Sequence, residues 1–260
     1  MTYTNSFQKF IQGLIAFSFL LVVFSFSFIT TSYAQDSVAV DTVSAEEAKE
    51  EVTEEIVLEE HMDIILAIDV SSSMRVEDVM PTRLEAVKSA AQQLMSVHPT
   101  ARYGIVLFAG ESMVYAPLGD ESQDLYQLLE QITTDLVDGT GTVIGEALDT
   151  SIKEFERLGS TNRKIIIFSD GATSETDNIF KRALLLASKR NVEVYAIGVG
   201  HGGEASITTP DQEHITIKSP YNDESLKQIS IFTNGKYYHA QSFEEMSKIA
   251  EEISLLLNSK

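Results

Sequence analysis

Past residue 60 the chain alternates short, β-branched apolar runs with amphipathic stretches. The runs at 64–68, 105–108, 165–168 and 192–199 are continuous rather than alternating, the texture of strands covered on both faces, as in a parallel sheet. Between them apolar residues recur at spacings of three and four: Leu84, Val87, Ala91, Leu94 and Met95; Leu125, Leu128, Leu129 and Ile132; Ile144, Ala147, Leu148, Ile152 and Phe155; Leu184 and Ala187. Each set falls on one face of a helix. Strands alternating with helices predict an α/β fold with a doubly wound, mostly parallel sheet and helices on both faces. Residues 112–116 follow the second run after the tight Ala109-Gly110-Glu111 turn, which predicts an antiparallel strand at one edge. The C-terminal part adds a helix over 222–232, a strand at 236–239 after Asn234-Gly235, and a last helix over 243–257. One insertion breaks the alternation: 205–208 and 214–218 alternate apolar and polar residues around Pro210-Asp211, the pattern of a small hairpin standing off the sheet.

The first sixty residues read differently. Residues 10–29 are apolar, preceded by Lys9 and followed by Ser32 and Ala34, which fits a secretory signal over 1–34 with Gln35 as the mature start. About 20 apolar residues also suffice to span a bilayer, so an uncleaved anchor at 10–29 is the alternative. Residues 35–60 carry ten Asp/Glu against one Lys and no aromatic residue, a stretch with too little apolar surface to offset its ordering entropy, read as an acidic disordered linker. Residues 61–260 then form one domain. Either reading of the N-terminus places it outside the cytoplasm, periplasmic or extracellular, with attachment to the inner membrane through 10–29 in the anchored case.

Composition narrows the chemistry. The chain has no cysteine, which removes disulfides and cysteine-ligated zinc or iron–sulfur sites. A formal charge of −20 argues against nucleic acid as a partner and favours a cation as guest.

The strand at 64–68 runs into Asp69-Val70-Ser71-Ser72-Ser73. Ligands of open α/β sheets bind beyond the carboxyl ends of the strands, where the winding reverses. Asp69, Ser71 and Ser73 alternate, so their oxygens can converge while Val70 and Ser72 point elsewhere. Hydroxyls with one or two carboxylates suit a hard cation such as Mg²⁺. By itself the pattern also fits ordinary loop capping. Two more features join it: Ser169-Asp170-Gly171 ends another central strand, and Asp138-Gly139-Thr140-Gly141-Thr142 opens the helix that contains Ile144 and Leu148.

In this order the three motifs resemble the von Willebrand factor type A family and its metal-ion-dependent adhesion site, with Asp69, Ser71, Ser73, Thr142 and Asp170 at the five positions. The likeness covers about 61–257. Pro81-Thr82-Arg83-Leu84-Glu85-Ala86, Gly104-Ile105-Val106-Leu107-Phe108-Ala109-Gly110, Ala116-Pro117-Leu118, Tyr195-Ala196-Ile197-Gly198-Val199-Gly200 and Asn234-Gly235-Lys236-Tyr237-Tyr238 resemble the bacterial aerotolerance (Bat) group. Members of that group are commonly held in the membrane by helices flanking the domain, whereas this sequence has no apolar span after its last helix. The resemblance implies a non-enzymatic binding module of the cell envelope that holds Mg²⁺, with Mn²⁺ or Ca²⁺ as substitutes. Ser71, Ser73 and sometimes Thr142 would ligate directly, Asp69 and Asp170 often through water. A protein partner's Asp or Glu carboxylate would take the open position. It also implies that the last helix, 243–257, can shift when the site fills. A metal-free scaffold is the plain alternative.

Other motifs carry less. Gly198-Val199-Gly200-His201-Gly202-Gly203 spells a dinucleotide fingerprint, but no helix is predicted to open after Gly203 to receive a pyrophosphate. Residues 64–69 resemble the first strand of haloacid-dehalogenase-type phosphatases, but these need a second Asp where Ser71 stands, which disfavours an Mg²⁺-dependent phosphohydrolase. The five histidines show no metal-ligand spacing and are expected at the surface or in turns. Of Tyr237 and Tyr238, neighbours on a strand, one ring is expected in the core and the other partly exposed.

Overall fold

Continuous apolar runs become buried strands in the computed structural model, which describes residues 61–258 apart from 120, 121, 140, 175, 210 and 212. The apolar segment at 10–29 and the acidic stretch at 35–60 lie outside the described residues. Strand β1 (Met62–Asp69) is buried from Asp63 onward because it lies inside the sheet, between β2 (Arg102–Phe108) and β4 (Asn162–Ser169), and is parallel to both. Outside β2 lies β3 (Ser112–Gly119), antiparallel to it. Outside β4 lie β5 (Glu193–Val199) and then β8 (Tyr237–Ala240), both parallel. The order β3-β2-β1-β4-β5-β8 reverses its direction of growth between β1 and β4. That is the crevice where doubly wound sheets bind ligands.

Helices α1 (Arg83–Val97), α2 (Ser122–Glu130) and α6 (Phe243–Asn258) cover one face, against Ile64, Leu66 and Ile68 of β1. Helices α3 (Ile144–Leu158), α4 (Asp177–Lys189) and α5 (Glu224–Phe232) cover the other, against Ile65 and Ala67. A strand side chain alternates sides with each residue, so one strand feeds both cores. The same alternation splits the tyrosine pair: Tyr238 packs into the first core and Tyr237 against the second. The insertion forms a separate antiparallel sheet of β6 (Gly203–Thr208) and β7 (His214–Ser219), in register from Gly203↔Ser219 to Thr208↔His214. The glycine-rich exit from β5 leads into this hairpin rather than into a helix.

His98 opens the turn after α1, its carbonyl accepting the Ala101 N–H at 3.2 Å, but it is not at the surface. It is buried after α1, with Nε2 3.1 Å from the Ser254 carbonyl of α6, and burial holds its pKa below the usual histidine range. Its role is to join two helix ends that pack side by side. Among the described residues no helix is long and apolar enough to cross a membrane.

Candidate metal centre

Asp69 is the last residue of β1, and its carboxylate is fully buried. Oδ1 accepts the Ser71 N–H at 2.9 Å, and Oδ2 accepts the Ser169 hydroxyl at 2.6 Å. Ser169 in turn accepts the Gly171 N–H at 2.9 Å. Beyond Asp69 the chain drops Val70 into the core, leaves Ser72 exposed and brings the Ser71 and Ser73 hydroxyls to 3.0 Å. A single 3-10 turn, Ser72–Arg75, comes next.

Asp170 leaves the end of β4, fully buried; Oδ1 accepts the Ala172 N–H at 3.1 Å and Oδ2 a guanidinium N–H of Arg83 at 3.0 Å. The backbone then bends sharply at Gly171, φ +72°, where an added Cβ would lie 1.9 Å from the Asn222 carbonyl oxygen. No side chain fits there, which accounts for the Asp-Gly pair.

Thr142 is 3% exposed and precedes α3. Its carbonyl accepts the Ser174 N–H at 3.0 Å and the Thr173 hydroxyl at 2.9 Å, and its N–H donates to Ser174 Oγ at 3.0 Å. The Thr142 loop is therefore strapped to the loop that carries Asp170. Gly141 permits the approach: at φ +103°, a Cβ there would meet Ser174 Oγ at 2.1 Å. Asp69, Ser71, Ser73, Thr142 and Asp170 thus all stand at one end of the sheet, on three segments tied together by hydrogen bonds.

The electrostatics are unbalanced in a specific way. At the other end of β1, buried Asp63 is paired bidentately with Arg102, at 2.6 and 2.8 Å. Arg83, 0% exposed, also grips Asp78 through Nε at 2.8 Å and Nη2 at 2.6 Å, so one guanidinium serves both Asp78 and Asp170. Asp69 is held by a hydroxyl and an amide, with no cationic side chain bonded to it among the described residues. Three buried carboxylates share a single positive charge, a deficit of two. Burial and then the charge of Asp170 push the Asp69 carboxyl up from 3.8 to about 7. A proton is the smallest charge that relieves such a site; a divalent cation matches it fully.

The donor set fits that ion. Neighbouring vertices of an octahedron with bonds of about 2.0–2.1 Å are about 2.9 Å apart, close to the 3.0 Å between the Ser71 and Ser73 hydroxyls. Among the described residues no group of three or more His, Asp or Glu side chains is placed to hold a metal ion.

Sequence reasoning missed Arg83 and Ser169 as parts of the site. Both stand inside recognisable motifs, but nothing local says that Arg83 turns inward to a carboxylate 87 residues away or that Ser169 reaches Asp69 across the sheet.

An α/β sheet with these loops at its switch point defines a class, the von Willebrand factor type A domain. Residues 64–172 match that family's model. Within it the chain is similar to the UPF0353 protein of Mycolicibacterium paratuberculosis, 30% identical over 199 residues, which are 71% of this chain and 58% of that one. It is also similar to the solved BatB of Bacteroides thetaiotaomicron, at 26% identity and TM-score 0.65, over 76% of this chain and 99% of that structure. The proximal thread matrix protein 1 of the mussel byssus, solved with a zinc-occupied MIDAS motif, shares the fold at 21% identity and TM-score 0.55, over 76% of this chain and 46% of that one. The chain spans about three fifths of the length of the curated relatives it matches.

Proposed function

We propose that this protein is a non-enzymatic, divalent-cation-dependent protein-binding module of the cell envelope, loaded with Mg²⁺ or, in its place, Mn²⁺ or Ca²⁺. The observation that carries this reading is the buried Asp69 carboxylate, without a cationic side chain of its own, beside two converging serine hydroxyls. The zinc-holding motif of the mussel fold relative supports it.

In this reading Ser71 and Ser73 hold the ion directly and Thr142 contributes from its strapped loop. Asp69 and Asp170 neutralise it, each fixed by its own donors so that the hydroxyls stay aimed. A bound ion with few anionic ligands supplies Lewis acidity toward a partner's Asp or Glu carboxylate. Residues 10–29 serve as export signal or as anchor, and the domain begins near residue 61. In affinity capture from envelope extract, a partner is retained by wild-type protein in Mg²⁺ and lost both in EDTA and with Asp69→Ala. Retention unchanged in all three would refute the reading.

Metal binding is also linked to pH. The metal-free folded state holds a proton on Asp69 up to about pH 7, whereas the unfolded chain releases it near 3.8. Asp69 therefore makes the metal-free protein lose stability as pH rises between those values, with no further change above. The cation must displace that proton, so calorimetric Mg²⁺ affinity should be about tenfold weaker at pH 6 than at pH 8. Equal affinity at both pH values would contradict the assignment of Asp69.

A further inference from the structure

We propose that Arg83 is a positioning residue that fastens the root of the β6–β7 hairpin to the metal-site carboxylate Asp170, making the hairpin part of the metal-responsive surface; this rests on the metal-binding reading above. The guanidinium touches both. Nη1 donates to Asp170 Oδ2 at 3.0 Å and to the Pro220 carbonyl at 3.2 Å, and Nη2 donates to Ser219 Oγ at 2.6 Å, where β7 ends. Asp78 holds the remaining edge, and Gly200, at the exit of β5, lies so close that an added Cβ would sit 2.3 Å from the guanidinium. Each nitrogen of the planar fork is engaged, so its position is set by all its neighbours together.

The hairpin's second fastening comes from the same stretch of chain. The Glu77 N–H donates to the Ser206 carbonyl at 2.9 Å, the Thr208 hydroxyl donates to the Glu77 carboxylate at 2.5 Å, and the His201 N–H donates to Asp78 Oδ2 at 3.1 Å. Residues 77–83 lie just downstream of the Ser71–Ser73 loop in the chain. A two-stranded hairpin has little stability of its own, so β6–β7 keeps its place through contacts that originate beside the metal site.

Coupling of this kind is reciprocal. If cation binding at Asp170 steadies the hairpin, loosening the hairpin root weakens cation binding by the same factor. Ser219 makes the decisive probe because it meets Arg83 through Nη2, whereas Asp170 is held by Nη1. In the full-length chain, Ser219→Ala should weaken Mg²⁺ and Mn²⁺ binding by about fivefold or more in calorimetry. In the wild type, Mg²⁺ should slow hydrogen–deuterium exchange of the 203–219 amides by a similar factor. Arg83→Lys keeps a charge but not the fork, and should abolish that slowing. Thr216→Ala, on the exposed part of β7, should change neither readout. Wild-type metal affinity in Ser219→Ala, or metal binding with hairpin exchange unaltered, overturns the coupling alone. An equal loss in Thr216→Ala overturns the route through Arg83. A wild-type chain that binds neither Mg²⁺ nor Mn²⁺ overturns the metal reading and the coupling with it.

Discussion

Replacing Arg83 with alanine is expected to cost the fold about 3–5 kcal/mol, the penalty for removing one partner from buried ion pairs and leaving the other charges stranded. Two carboxylates are stranded at once here, Asp78 and Asp170, whose side chains are 1% and 0% exposed. For a domain of this size that corresponds to a fall in melting temperature on the order of 10 °C. The substitution also removes donors to Ser219 Oγ and the Pro220 carbonyl, so the hairpin loosens with it. Thermal denaturation of the metal-free protein checks the prediction. A fall of only a degree or two would mean that water or rearrangement compensates these carboxylates and that Arg83 is not the hub its contacts make it.

Asp69→Asn is expected to act in the opposite direction. The metal-free fold carries an ionised carboxylate at pH 8 that burial and Asp170 both disfavour. A neutral amide of the same shape keeps the bond from the Ser71 N–H, and its NH₂ can donate to Ser169 Oγ in place of accepting from it. The variant should therefore melt on the order of 5 °C higher than wild type without metal at pH 8. At pH 5, where Asp69 is protonated in the fold, most of that gain disappears. Metal affinity should meanwhile fall by about a hundredfold or more. Stability gained and binding lost in one substitution is the signature of a residue kept for function at a cost to the fold. A lower melting temperature in metal-free buffer at pH 8 would instead make Asp69 a structural residue.

The contrast between these two residues explains what the sequence discloses and what it hides. The strands were legible because β1, β2, β4 and β5 are covered on both faces and their sequences are apolar nearly throughout. The helices were legible from their three- and four-residue spacing. The hairpin showed itself through alternation on either side of Pro210. The five candidate site positions could be named because each sits at a strand end or loop with a local signature: the alternating Asp69-x-Ser71-x-Ser73, the glycine-flanked Thr142, the Asp170-Gly171 turn. Arg83 has no such signature. It opens a helix like many exposed arginines; Asp78 is a local partner, but the contacts that carry it to the site, with Asp170 and Ser219, come from 87 and 136 residues away. His98 is hidden for the same reason, since its burial depends on α6 arriving from 156 residues further along. Local pattern predicts elements; charge compensation between distant elements is a property of the assembled fold.

The charge deficit beside Asp69 is the centre of the account, and titration of Mg²⁺ into the metal-free, full-length protein at pH 8 tests it most directly. The expected result is saturable binding of one ion per chain, with the heat abolished in Asp69→Asn while the variant stays folded. Absence of binding in the wild type, or the same isotherm in both proteins, would contradict it.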